Sequence, residues 1–324
     1  MGQGASGLKA LKRTDPTASW QICDQLGSGS YGTVNKVIAR TDGEVAAAKL
    51  INLQTKEELN TFAEELKVLT SRRHMNITNF VDGFLRSKDL WIIIELCEAG
   101  SFADVMDTMG RPLTDREIQC VAFQALEGLD FLHTNCVIHR DIKAANIMLS
   151  DHGLAKLGDF GVSAVLRSKQ QRRSSFIGSP NWMAPEVAAC ETDRTRSYNF
   201  KADIWSLGAT VIELAQNKAP FNDMHALKVL MCVTSGTVPT LDEPQAHSPD
   251  MIKFLSFALT VDASARPDAA TLQRHAFCNG QTDRHLLARL ASDKLEADHK
   301  ARQAIQRKQS ERIQKLRQSF SDLC

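Results

Sequence analysis

The sequence predicts an α+β chain in two lobes, a small β-rich one carrying a single helix and a larger, mainly α-helical one. Three observations carry this expectation. Short runs with strand character occupy the early part, at Trp20 to Leu26, Thr33 to Ile38, Glu44 to Ile51 and Leu90 to Cys97. Leucine and phenylalanine at helical spacing (Leu59, Phe62, Leu66, Leu69) interrupt them with a helix over Glu57 to Leu69. Beyond position 100 the pattern turns helical, led by an amphipathic stretch over Leu113 to His133 with Thr114 as its N-cap and Asp115 and Glu117 in its first turn. At 324 residues the chain can bury a full core and hold two lobes.

Composition narrows the function classes. With 43% hydrophobic residues, 24% charged residues and a formal net charge of +1, nothing argues for nucleic acid as a partner. Eight scattered cysteines without C-x-x-C or zinc spacing read as reduced thiols of a cytoplasmic protein. No apolar run approaches the roughly 20 residues of a membrane span, and no secretory segment opens the chain. Residues 1–19 read as a flexible leader, and Met1-Gly2-Gln3-Gly4-Ala5-Ser6 fits the pattern for myristoylation of Gly2. A Gly/Ser leader that merely matches the pattern is the alternative. One acyl chain anchors only marginally, so membrane association through Gly2 needs a second signal, and Lys9, Lys12 and Arg13 are basic residues that could contribute. Gln3 stands where a cysteine would be needed for palmitate beside the myristate.

The chain is organised around His139-Arg140-Asp141-Ile142-Lys143-Ala144-Ala145-Asn146. A carboxylate, a lysine two residues on and an amide five residues on form a set suited to phosphoryl transfer. The carboxylate orients a hydroxyl and takes its proton, the lysine faces the migrating phosphate, and the amide offers a metal a neutral oxygen. A polar turn between helices is the plain alternative. Upstream, Gly27-Ser28-Gly29-Ser30-Tyr31-Gly32 has glycine spacing shared with dinucleotide folds, but those glycines open a helix. Here Thr33-Val34-Asn35-Lys36-Val37-Ile38 continues as a strand, so the glycines form the tip of a hairpin whose backbone can approach phosphates closely.

The octapeptide resembles the H-R-D-x-x-x-x-N catalytic loop of the eukaryotic protein kinases, and Asp159-Phe160-Gly161 lies thirteen residues beyond Asn146, where that family has its metal-binding motif. The resemblance covers about residues 20–278, with the smaller lobe at about 20–97 and the larger at about 98–278. It implies a bilobal kinase fold, ATP and Mg²⁺ as cofactors, and transfer of the γ-phosphate to protein Ser/Thr. By resemblance Leu26, Gly27, Ser28, Gly29, Ser30, Gly32 and Val34 cover the nucleotide. Ala47 is the small residue above the adenine, and Met148 joins the same set. Lys49, in Ala46-Ala47-Ala48-Lys49, holds the α/β-phosphates and pairs with Glu65, with Glu64 its competitor. Ile94 is the gatekeeper, and the Glu95 carbonyl and Cys97 backbone meet the adenine edge; Cys97 reads as a linker residue, with a thiol that a ligand could reach as the alternative. Asp141, with Lys143, Lys49 and Glu65, carries the chemistry. Asn146 and Asp159 hold the metal. Leu69, Phe80, His139 and Phe160 form the regulatory column. Met75 replaces a common proline, which loosens the turn before the next strand.

The same resemblance assigns a buried ion pair to Glu186 and Arg266, and makes Asp203 the tie between the catalytic loop and a helix. Lys169, Arg172 and Arg173 precede Ser174 and Ser175. Ser175 matches the activation phosphosite, with Ser174 the runner-up, served by an upstream kinase or by autophosphorylation in trans. Ser179 falls where Ser/Thr kinases place a hydroxyl near Asp141 and Lys143. Gly178-Ser179-Pro180-Asn181-Trp182-Met183-Ala184-Pro185-Glu186 points to the Ste20-like group. Ala189-Cys190-Glu191, Tyr198 to Asp203 and Asp223-Met224-His225 resemble its Misshapen/Nck-interacting branch and class III myosin kinase heads. Ser179 and Asn181 depart from that group's usual threonine and aromatic, and the chain ends before a long linker, regulatory domain or motor. The oxidative-stress-responsive branch and a MAP-kinase-kinase-kinase-like role stay open. Residues 279–324 read as a charged helical tail, a docking or solvated helix or else a coiled-coil strand. The rival from another class is a pseudokinase scaffold, but Lys49, Glu65, Asp141, Asn146 and Asp159 are all present.

Overall fold

A computed structural model of the chain describes residues 8, 10–29, 32–55, 58–59, 62, 66, 70, 73–160, 164–165, 173, 178–193, 195–278 and 283–321. Five strands, β1 (Trp20–Gly29), β2 (Gly32–Ala39), β3 (Val45–Asn52), β4 (Phe80–Arg86) and β5 (Asp89–Glu95), form an antiparallel sheet in the order β1-β2-β3-β5-β4. Its outer face is closed by Trp20, Val37, Ala46, Ala48, Phe84, Trp91 and Ile93. Register fixes the future site: Lys49 lies opposite Val34 on one side and Ile92 on the other, and Ala47 lies opposite Ile94. A side chain at Gly32 would drive its Cβ into the Leu50 carbonyl oxygen, so the close approach of β2 to β3 at the hairpin tip demands glycine. Residues 58, 59, 62, 66 and 70 are helical, where the apolar spacing predicts a helix.

The larger lobe holds α1 (Phe102–Met109), α2 (Asp115–Thr134), α3 (Pro185–Thr192), α4 (Lys201–Gln216), α5 (Ala226–Thr234), α6 (Pro249–Ala258), α7 (Ala269–Gln273) and α8 (Arg284–Ser321). Helix α2 begins as its sequence predicts. The Thr114 hydroxyl accepts from the Glu117 N–H, and the Glu117 carboxylate accepts from the Thr114 N–H in return. Asp115 is used twice, because it also receives His247 at 2.7 Å and the Ser248 N–H at 2.7 Å. Helix α4 is buried on all sides from Ala202 to Ala215, the pattern of a central core helix. Short pairs β6 (Val137–Ile138) with β9 (Ala164–Val165), and β7 (Ile147–Leu149) with β8 (Ala155–Leu157), line the front of this lobe.

Two segments differ from expectation. Residues 10–19 belong to the fold, where a flexible leader was expected. Edge strand β4 offers unpaired backbone groups, and Lys12 takes them up through its N–H to Gly83 O at 2.9 Å and its carbonyl from the Leu85 N–H at 2.9 Å. Leu11 is buried against the core, Lys12 pairs with Asp82 at 2.7 Å, and Arg13 reaches the Leu85 carbonyl. The tail is likewise docked at its root. Leu287, Leu290 and Ala291 of α8 are buried, and a Cβ on Gly153 would come within 2.6 Å of Ala288 N. Met75 is exposed in a turn and receives Arg284 Nη2 on its sulfur at 3.5 Å. Among the described residues no helix is long and apolar enough to cross a membrane.

Arg266 is fully buried and bidentate with Glu186, at 2.7 and 3.0 Å, while it also donates to the carbonyls of Lys201 and Thr260. Its guanidinium lies 5.2 Å from the centroid of Trp205. Removing one partner strands the other charge, so Arg266→Met is expected to destabilise by about 3–5 kcal/mol, read from urea unfolding. The double variant Glu186→Leu/Arg266→Met should be less damaged than that single change. Equal stability of Arg266→Met and the unaltered chain would contradict the assignment.

Candidate active site

The catalytic loop hangs from Asp203, buried in α4. One carboxylate oxygen accepts the His139 N–H at 2.9 Å and His133 Nε2 at 2.8 Å, and the other accepts the Arg140 N–H at 2.9 Å. Burial pushes this carboxyl up, but the hydrogen bond and charge of His133, with help from His139 and the Arg140 N–H, outweigh it and hold it below the usual range. Arg140 consequently adopts a left-handed backbone, φ 73°. His139 is fully buried; its Nε2 donates to Gly158 O at 2.9 Å, and its ring lies 5.0 Å from that of Phe160. Two members of the expected column thus touch, Phe80 packs on the same core cluster, and Leu69 lies outside the described residues.

Asp141 gathers the functional groups. Lys143 Nζ donates to its Oδ2 at 2.9 Å and to the Ser179 hydroxyl at 2.9 Å, and that hydroxyl donates to Asp141 Oδ1 at 2.8 Å. Asn146 Nδ2 donates to the Asp141 carbonyl and to Oδ2, both at 2.8 Å. With the amide nitrogen committed there, Asn146 Oδ1 is left as a neutral oxygen donor. Lys49 Nζ lies 3.1 Å from Asp159 Oδ1 and 5.7 Å from the centroid of Phe62. Asp159, also left-handed at φ 54°, is 56% exposed on its side chain. Asp141, Lys143, Asn146 and Ser179 therefore share one cluster, and Lys49 and Asp159 a second. Glu64, Glu65, Ser30, Ser174, Ser175 and Gly2 lie outside the described residues.

The connection between lobes is firmer than sequence suggests. The Glu95 side chain pairs with buried Lys156 at 2.9 Å and accepts from Asn79 at 3.2 Å, while its N–H donates to Asn79 O at 2.9 Å. Ile94 and Met148 are half-buried, Ala47 is buried, and Leu26 is exposed. Cys97 is the linker residue expected, and the alternative of a reachable thiol fails. The thiol belongs to a residue only 5% exposed, and burial, with Glu95 adding to it, pushes it up to about 12, so it is neither reachable nor nucleophilic. Sequence reasoning missed Glu213. Its Oε2 accepts the Ala144 N–H and the Trp182 indole N–H, both at 2.8 Å, joining the catalytic loop to the segment after Ser179. The only signal was an acidic residue inside an otherwise apolar helix. Asn181, a departure from the group's usual aromatic, donates instead to the Pro220 carbonyl at 2.6 Å.

Comparison with known proteins agrees with this geometry. Residues 20–278 match the protein kinase domain. Human serine/threonine-protein kinase 10 is 40% identical over 279 residues, and its Xenopus tropicalis counterpart 42% over 263. Human mitogen-activated protein kinase kinase kinase kinase 3 is 38% identical over 291 residues. The chain belongs to the protein kinase family. The matches take in 81–89% of this chain but only 28–32% of those relatives.

The buried histidines of this kinase domain predict a pH response. Burial holds His139 below its ordinary 6.5, so between that lowered value and 6.5 the unfolded chain binds the proton that the folded one refuses. Stability from this group is complete above 6.5 and is lost as the pH falls below it, by up to about 1.4 kcal/mol per pH unit. His74 and His275 are displaced the same way by burial, whereas burial raises Glu213 above its ordinary 4.5, so its contribution has the opposite sign and is lost as the pH rises from 4.5 through that raised value. Urea midpoints between about pH 5 and pH 8 should decline on the acid side, and less so in His139→Gln. A flat profile would contradict it.

Proposed function

We propose that this chain transfers the γ-phosphate of ATP to serine or threonine hydroxyls of protein substrates, in line with a relative named a serine/threonine-protein kinase. The observation that carries the reading is the Asp141 cluster, where a carboxylate already holds a hydroxyl, that of Ser179, with a lysine beside both. An incoming hydroxyl donates to Asp141, which orients it and accepts its proton as the new bond forms. Lys143 offsets negative charge on the same side. Its presence two residues after Asp141 favours Ser/Thr over Tyr substrates, by resemblance to the family.

The donor set suits magnesium nucleotide. Asn146 Oδ1 and the half-exposed Asp159 carboxylate are hard oxygen ligands, and a lysine stands beside Asp159 to meet phosphate. When bound, the metal ion draws charge from the phosphate oxygens. Lys49 would hold the α/β-phosphates, the glycine hairpin and Val34 would cover them, and the backbone of Glu95 and Cys97 would receive the adenine. Glu65 is assigned as the partner of Lys49 on the sequence pattern. We assign activation to phosphorylation of Ser175 in preference to Ser174, supported by the basic residues Lys169, Arg172, Arg173 and Arg140 around that segment. The reading places the chain in a signalling cascade in the cytoplasm, with reversible membrane attachment through a myristoylated Gly2.

In a label-transfer assay with purified protein, Asp141→Asn should lose roughly 10²–10⁴-fold in kcat. Equal incorporation by variant and unaltered chain would mean that Asp141 is not the base. Ser175→Ala should lower turnover far more than Ser174→Ala, and equal rates for all three proteins would remove the switch. Gly2→Ala should shift the protein from the membrane to the soluble fraction of cells; an unchanged distribution would count against lipidation.

A further inference from the structure

Helix α8 changes character along its length. From Asp283 to Asp298 it is docked: Leu287, Leu290 and Ala291 are buried, Thr108 donates to Asp298 at 3.3 Å, and Lys294 closes on Asp298. Charges over this part are balanced, with three basic residues (Arg284, Arg289, Lys294) against four acidic (Asp283, Asp293, Glu296, Asp298). From His299 to Ile313 every residue is exposed. There five basic residues, Lys300, Arg302, Arg307, Lys308 and Arg312, stand with one acidic residue, Glu311, and of the five Lys300 is paired with Glu296 at 2.6 Å. Ile305 and Ile313, 56% and 53% exposed, lie within one sector of the same segment, because eight residues turn the helix by a little more than two turns.

We propose that this outer segment of α8 is a docking surface for an anionic lipid bilayer. A helix that is basic and carries exposed isoleucines suits an interface of negative headgroups over acyl chains, its isoleucines entering the boundary and its lysines and arginines meeting phosphate and carboxylate groups. A second copy is disfavoured, since two such segments side by side would oppose like charges along their length. Two basic residues of the leader, Lys12 and Arg13, are engaged on the fold. Lys12 is paired with Asp82 and placed over Phe84, and Arg13 is turned to the Leu85 carbonyl. The leader runs along β4, and Arg284 at the root of α8 meets Met75 in the turn before that strand. A lipid on Gly2 and the basic helix would then act as the two signals that stable attachment needs, although binding by α8 requires no acylation.

The test uses the full chain, purified without acylation, in sedimentation with phosphatidylserine-rich vesicles and with pure phosphatidylcholine vesicles. Binding is expected to the first and not the second, to weaken as salt shortens the screening length, and to fall by roughly a hundredfold or more in Arg307→Glu/Lys308→Glu/Arg312→Glu, since each basic residue contributes roughly fivefold. Ile305→Ser/Ile313→Ser should weaken binding at physiological salt while sparing its salt dependence. Absence of vesicle binding at low salt overturns the proposal, as does binding that survives the triple reversal but is lost in Lys12→Glu/Arg13→Glu. Capture by soluble polyglutamate without any preference for anionic vesicles would assign the helix to an acidic protein instead. Because the protein carries no acyl group, none of these outcomes depends on Gly2 or on kinase activity.

Discussion

Everything in the cleft depends on one carboxylate without access to water. Asp203 sits in the first turn of a helix buried on every side, where an unpaired charge would be costly, and its partners are the backbone of His139, the backbone of Arg140 and the ring of His133. The satisfaction of that charge and the shape of the catalytic loop are a single problem with a single solution. Arg140 takes its left-handed conformation so that two successive N–H groups can reach one carboxylate. From that fixed point Asp141 follows by one residue, Asn146 folds back on it, and Ser179 reaches it from the later segment.

The core helix supplies a second tether ten residues further along. Glu213 receives a loop N–H from one side and an indole N–H from the other, so the loop bearing Asp141 and the segment bearing Ser179 are referred to the same rigid rod. Electrostatics differ at the two points. Asp203 has enough donors to keep its charge favoured, while Glu213 has fewer and burial dominates. Thr210, between them on α4, donates to the Ile142 carbonyl at 3.2 Å, a neutral contact that closes the row. Such a row explains how a loop without regular structure can hold reacting groups in place.

Legibility in the sequence tracked how local each cause was. Strands β1, β2, β3 and β5, the Thr114 cap and the glycine hairpin were readable because neighbouring residues determine them, whereas β4 was not read as a strand. The pairings of Asp203, Glu186 and Arg266 were readable only through resemblance, since their partners lie 63 to 80 positions away. Glu213 and the Asn79–Glu95–Lys156 link had neither a local pattern nor a motif and emerged only in three dimensions. The pinned stretch at 10–19 was obscured for a related reason: its polar composition suggests solvent, but an open sheet edge elsewhere in the chain supplies the partners. Cys97 shows the converse, as its neighbours enclose a connector position whose sequence left a reachable thiol as the alternative.

Gly153 gives the tail a reach beyond its own surface. It forms the bend between β7, which follows Asn146, and β8, which precedes Asp159, and the first turns of α8 rest directly on its backbone. The helix continues for 23 residues past Asp298, roughly 35 Å at the usual rise per residue. A rod of that length, seated at its base on the hairpin between the two oxygen-bearing side chains, is a lever whose short arm ends behind the cleft.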